Sequence, residues 1–203
     1  MEFFYDREYF SGLPAVRFEV DGIALYDPRK DDTVGGSGTH RWDNPDTYEF
    51  TQNPQVINYN VLRGITMSTG DVYGGGVPAE DLPLDNWFAA MNECDVLIGD
   101  RPQYQAGFEV DTNDVEPLEL IEQMNRASFA EMSEVGGVFR VRVGAPAEPV
   151  MTLNDADFVI TEPSENTPFP GLKETRNAIT GTYVEPVDVW QGRSTQSITN
   201  AAW

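Results

Sequence analysis

Near the start of the chain, Val16, Phe18 and Val20 alternate with Arg17 and Glu19, and Asp21-Gly22 follows before IALYD. Alternation of period two interrupted by Asp-Gly predicts a β-hairpin with a two-residue type I′ turn. From Asn53 the period changes. NPQVINYNVLRG opens with an N-cap residue, places Pro54 at the first helical position and closes on Gly64, which predicts a short helix. Its apolar residues Val56, Ile57, Tyr59, Val61 and Leu62 spread around the axis. Such a helix is expected to be buried on several sides, inside a domain or against a partner chain. A second helix is predicted with Asp85 as its cap. Trp87, Met91 and Cys94 recur at i, i+4 and i+7 with Phe88 flanking, and Asn92 and Glu93 fall on the other side.

VLIG and YQAGFEV then read as two strands joined around Gly99-Asp100. A third helix is predicted within DTNDVEPLELIEQMNRA, burying Leu120, Ile121, Met124 and Ala127 and leaving Glu119, Glu122 and Arg126 to solvent. AEM, the turn SEVGG and VFRVRV follow. Phe139, Val141 and Val143 face inward there, and Arg140 and Arg142 give the strand a basic outer face. PVMTLNDADFVITEP and the segment from Asn177 onward read as β-like. The pattern predicts an α+β fold, an antiparallel β-rich body with about three short-to-medium helices. Three parts are expected: residues 1–47, a hairpin-containing part of a β domain; 48–147, an α/β part with three helices and hairpins; and 148–203, a β return that completes the first domain. MEFFYDREYFSG at the start has no clear class, and the chain stops at Trp203 without a capping element. Both ends fit a segment cut from a longer polypeptide.

Composition narrows the function. In 203 residues, 14 prolines and 18 glycines agree with a turn-rich, β-rich body. Thirteen basic against 34 acidic residues give a formal net charge of −21, which repels nucleic acid and speaks against sequence-specific binding of it. The sequence has no apolar run long enough for a membrane helix and no secretory-signal pattern. One cysteine rules out an intrachain disulfide and an all-cysteine metal site.

Candidate chemistry is sparse. Cys94, on the apolar face of its helix, reads as a small buried hydrophobe. His40, the only histidine, sits beside the Gly/Ser run DDTVGGSGTH and reads as a surface residue; without a second histidine or a nearby cysteine, neither a metal site nor a catalytic triad is expected. GDVYGGG lacks the Lys-Ser/Thr of a phosphate loop, and Glu80 and Asp81 follow it. Asp111, Asn113, Asp114 and Glu116 could offer oxygens to calcium, but the glycine of an EF-hand loop is missing. Helix capping by Asp114 or Glu116 is the expected role. Asp155 and Asp157 would share one face of a strand, and any two carboxylates could in principle serve a glycosidase. No catalytic, cofactor-binding or metal residue is assigned, and no cofactor is expected. A calcium- or carbohydrate-binding module remains an alternative, and a carboxylate-dependent hydrolase of cell-wall glycan a more remote one.

The order of motifs adds a resemblance. GLPAVRFEVDGIALYDPR, NPQVINYNVLRG, DNWFAAMNECD, the stretch YQAGFEVDTNDVEPLELIEQMNRASFAEMSEVGGVFRVRVGAP, and PVMTLNDADFVI with the Asn177 strand, Tyr183 and Pro186 follow one another. This succession resembles the tail-hub or tail-tip (host-specificity) proteins of long-tailed, lambda-like bacteriophages and the related hubs of gene transfer agents, from about Gly12 to Trp190. The resemblance implies a central segment of a homotrimeric hub around the channel at the distal end of the tail tube. Its partners would be the distal tail and tape-measure proteins, with no catalytic residues and no membrane insertion. The loops Asp31–His40 and Gly70–Gly76 depart from the family pattern.

Overall fold

The computed structural model describes residues 8–9, 12, 20–107, 109–144, 149–159, 176–185 and 191–199. The fold is α+β, and the chain divides into two compact units, Met1–Glu148 and Pro149–Trp203.

Three helices carry the first unit: α1 (Pro54–Arg63), α2 (Leu84–Cys94) and α3 (Pro117–Ala127). A short antiparallel hairpin follows each of them: β1 (Ile65–Thr66) with β2 (Val72–Tyr73), β3 (Leu97–Ile98) with β4 (Arg101–Pro102), and β5 (Glu131–Val135) with β6 (Val138–Arg142). Helix α1 begins as its sequence predicts. The Asn53 side chain accepts from the Gln55 and Val56 N–H groups, and Gly64 ends the helix at φ 99°, a conformation open to glycine at little cost. The Gly-rich connector then folds back on that end. Gly75 N–H donates to Val61 O and Val77 N–H to Leu62 O, satisfying carbonyls that a helix C-terminus leaves orphaned. A Cβ on Gly74 would lie 2.2 Å from Val61 O, so only glycine permits this approach.

Around α1 the core closes on every side. Val56, Tyr59, Val61 and Leu62 are buried with Trp87 and Met91 of α2, Leu120, Ile121 and Met124 of α3, and Val141 and Val143; Ile57 is only half-buried. Tyr59 meets Trp87 edge-on at 5.6 Å, and the Arg63 guanidinium lies 3.8 Å over the Trp42 ring. Two asparagines bind helices to extended chain by imitating a strand. Asn60 Oδ1 accepts from Tyr26 N–H while its Nδ2 donates to Tyr26 O. Asn86 does the same for Val141. On another side of α1, buried Gln55 donates to Ser128 and buried Asn58 to Asn125.

Several elements differ from their sequence patterns. The first strand of the Asp21-Gly22 hairpin lies outside the described residues, and Leu25 instead exchanges backbone hydrogen bonds with Glu49. Asp85 does not cap α2. That helix starts two residues earlier, after Pro83, which leaves Asp85 in the first turn, still on the favourable end of the dipole. Neither Asp114 nor Glu116 caps α3 through its side chain: Glu116 stands at the N-cap without such a bond, and Pro117 opens the helix. Ala127 is exposed and Ser128 takes the buried place, its hydroxyl donating to Met124 O. The return strand after Gly99-Asp100 is only Arg101–Pro102, although Gln103 N–H beyond it still donates to Val96 O. Hairpin β5–β6 and its inward Val141 and Val143 match the pattern, with Arg140 and Arg142 outward.

In the second unit, β8 (Thr182–Glu185) pairs with β9 (Gln191–Ser194), nested inside the pair β7 (Ala178–Ile179) and β10 (Ile198–Thr199). The stretch around Asp155 and Asp157 is not a strand. It forms a 3-10 turn capped by Asn154, whose backbone N–H donates to the Asp157 carboxylate, so the expected shared strand face does not exist. No described residue of this unit is buried. Among the described residues, no helix is long and apolar enough to cross a membrane.

Candidate functional site

The feature with most chemistry is a pocket of about 350 Å³ lined by Arg29, His40, Glu49, Phe50, Thr51 and Tyr104, among others. Its floor is built by the segment from Leu25 to Arg41. Asp27 caps the 3-10 turn Pro28–Lys30, accepting from Arg29 N–H. The same carboxylate is gripped by the Arg29 guanidinium at 2.7 Å, and that guanidinium reaches on to Asp95 at 2.7 Å. Lys30 pairs with Glu49 across the Leu25–Glu49 bridge.

His40 overturns its surface reading: it is 2% exposed. Its Nδ1 accepts from Asp27 N–H at 3.0 Å, and the ring packs beside Tyr26 and Tyr48. Accepting at Nδ1 fixes the neutral ring as the Nε2–H tautomer. That Nε2 has no hydrogen-bond partner, and Glu49 Oε1 stands 4.0 Å from it, too far for a direct bond. Burial lowers the His40 pKa, outweighing the opposite pull of Glu49. Beneath the Gly/Ser run, Asp31 is buried too. Burial opposes its charge, yet bonds from Thr33 and Tyr26 together with Arg41 hold its carboxyl below the usual range. The run itself is on the surface, but Gly36 and Ser37 N–H are tied to Asp31 and Arg29 carbonyls.

The other sequence candidates stay apart from this pocket. Cys94 is fully buried and burial pushes its thiol up to about 12, which leaves it a small hydrophobe. Asp111 accepts from both the backbone and side-chain N–H groups of Asn113, an Asx turn before α3 that lowers its pKa. Among the described residues, no group of three or more His, Cys, Asp or Glu could hold a metal ion. The GDVYGGG segment supplies β2 and the cover for the end of α1. Sequence reading missed Asp27, Arg29 and Glu49 because they meet through a turn and a long-range bridge. The signal available was Asp27-Pro28, an acidic cap followed by proline at the first position of a turn.

Comparison with known proteins bears on another stretch. A family model described as "Putative phage tail protein" matches residues 116–202, from the start of α3 through β5–β6 and the second unit. No curated protein and no solved structure matches. The pocket lies outside the matched residues. Over the stretch from α3 onward the chain is similar to phage tail proteins, and the match supports a phage tail protein with a structural role in the virion.

Proposed function

We propose that this chain is a structural, non-enzymatic part of a phage or prophage tail tip: a fragment of the central hub at the distal end of the tail tube. In the full-length hub it is trimeric and contacts the distal tail and tape-measure proteins. It is made in the bacterial cytoplasm and ends in the virion. The family match over residues 116–202 supports a phage tail protein, and the hub and its trimer are the finer part of this proposal.

Two physical features support it. In the second unit, Val150, Met151, Val159, Ile179 and Ile198 are all more than two-thirds exposed, and hairpins with no covered face are marginal until something packs on them. Symmetric association of copies is the usual way to supply such cover. The formal net charge of −21 also suits the wall of a channel that DNA crosses without sticking, since carboxylates repel phosphates. Immunogold labelling of intact particles with antibody to this chain should mark the distal tip of the tail. Label along the shaft would overturn the hub while leaving a tail protein, and label confined to heads would overturn both.

A further inference from the structure

The pocket floored by His40 is not used by the hub reading and lies outside the stretch that resembles tail proteins. Its charges are already matched within the chain: Arg29 with Asp27 and Asp95, and Lys30 with Glu49. A charged ligand would have to break one of these pairs, whereas a neutral polar one would not. What remains unmatched is a donor and an acceptor side by side. His40 Nε2–H has no partner, and Glu49 Oε1, 4.0 Å away, is the carboxylate oxygen that Lys30 leaves free.

A single hydroxyl resolves this arrangement, because it accepts and donates at one oxygen. Two hydrogen bonds of about 2.8 Å meeting at a tetrahedral oxygen span roughly 4.6 Å, and His40 Nε2 is itself buried, so the exposed Glu49 side chain swings outward slightly to admit the hydroxyl. Around this pair the walls are mixed. Thr51 brings a hydroxyl, Gln52 and Gln105 bring amides held to each other at 2.9 Å, and Phe50 and Tyr104 bring ring surface. The volume, about 350 Å³, lies at the lower end of the roughly 300–1,000 Å³ usual for small-molecule sites.

We propose that this pocket binds a neutral saccharide unit, with one ring hydroxyl accepting from His40 Nε2–H and donating to Glu49 Oε1. Lys30 keeps the Glu49 carboxylate ionised and positioned, and the buried Asp27 N–H holds the imidazole in the tautomer that presents Nε2–H. The rings of Phe50 and Tyr104 cover the apolar face of the sugar.

The test is an NMR titration of the full chain with D-glucose, D-galactose and N-acetyl-D-glucosamine in turn, and with N-acetylglutamine amide as a protein-like probe. At least one sugar should give saturable shifts at His40, Glu49 and Thr51. Glu49→Ala should weaken that binding about tenfold, the loss of one charge-assisted hydrogen bond. His40→Asn should do the same, since its amide oxygen can still accept from Asp27 N–H while the donor to the ligand is gone. Glu49 is on the surface, so its variant keeps the test decisive if His40→Asn fails to fold. Three results would overturn the proposal: no saturation with any sugar, meaning that a bridging water alone fills the gap; saturation with the amide probe only; or sugar affinity unchanged in Glu49→Ala.

Discussion

An imidazole that accepts a backbone N–H at Nδ1 cannot carry a proton there as well, and His40 accepts from Asp27. Protonation would set two N–H groups against each other in a buried place. The folded pKa is accordingly below the ordinary 6.5, so under acid conditions the unfolded chain binds more protons than the folded one. Stability from this residue is complete above about pH 6.5 and is lost as pH falls from there toward the lower folded value. Urea titrations in steps from about pH 7.5 to 5.5 should show the midpoint falling, and His40→Asn should flatten that slope. The neighbouring Asp27–Arg29 pair gives a second residue-scale prediction. Arg29→Met keeps the stem but strands a carboxylate whose side chain is 7% exposed; removing one partner of a buried pair costs about 3 kcal/mol, measurable by the same titrations. Neither role was legible in the sequence. A lone histidine next to Gly and Ser looks solvated, and its burial depends on Tyr26, Tyr48 and the Leu25–Glu49 bridge, contacts that no local pattern records.

At the scale of elements, α1 shows what periodicity can and cannot tell. Its limits were legible because Asn53, Pro54 and Gly64 act within a few residues of themselves. Its apolar spread correctly implied burial on several sides. Its polar residues follow from the same spread: a helix with apolar residues all round has no wet face, so Gln55, Asn58 and Asn60 must be buried and bonded. Asn60 is the most demanding of them, with Tyr26 N–H, Tyr26 O and Val56 O all depending on it. Asn60→Leu should cost about 2–4 kcal/mol, since it leaves at least two buried backbone groups unpaired at roughly 1–3 kcal/mol each, partly relieved by relaxation. Chemical denaturation would measure it, and a loss below about 1 kcal/mol would show that water replaces the amide. Helix α2 starts earlier than expected because Pro83 sets the helix entry by its fixed φ, overriding Asp85 nearby, whereas Glu116 does stand at the N-cap of α3 but makes no side-chain bond there.

For the whole molecule, the fold class followed from the change of period along the chain, and the likeness to phage tail proteins follows from residues 116–202. The three expected parts rested on where strands and helices alternate. Within the unit that ends at Glu148, Asn60 and Arg63 tie the segment from Leu25 to Trp42 onto α1. Such ties are long-range, and local patterning does not reveal them.

The uncovered hairpins of the second unit have a calorimetric consequence. Heat is absorbed on unfolding chiefly where packed surface comes apart, ordinarily about 0.7 kcal/mol per residue near 60 °C. Residues 149–203 make up about a quarter of the chain, and none of those described is buried. The isolated chain should therefore melt with less heat than its length implies. Assembly into a tail should restore that deficit as an exothermic step with a negative heat-capacity change. A full-sized melting enthalpy for the isolated chain would mean that the second unit already has its own cover.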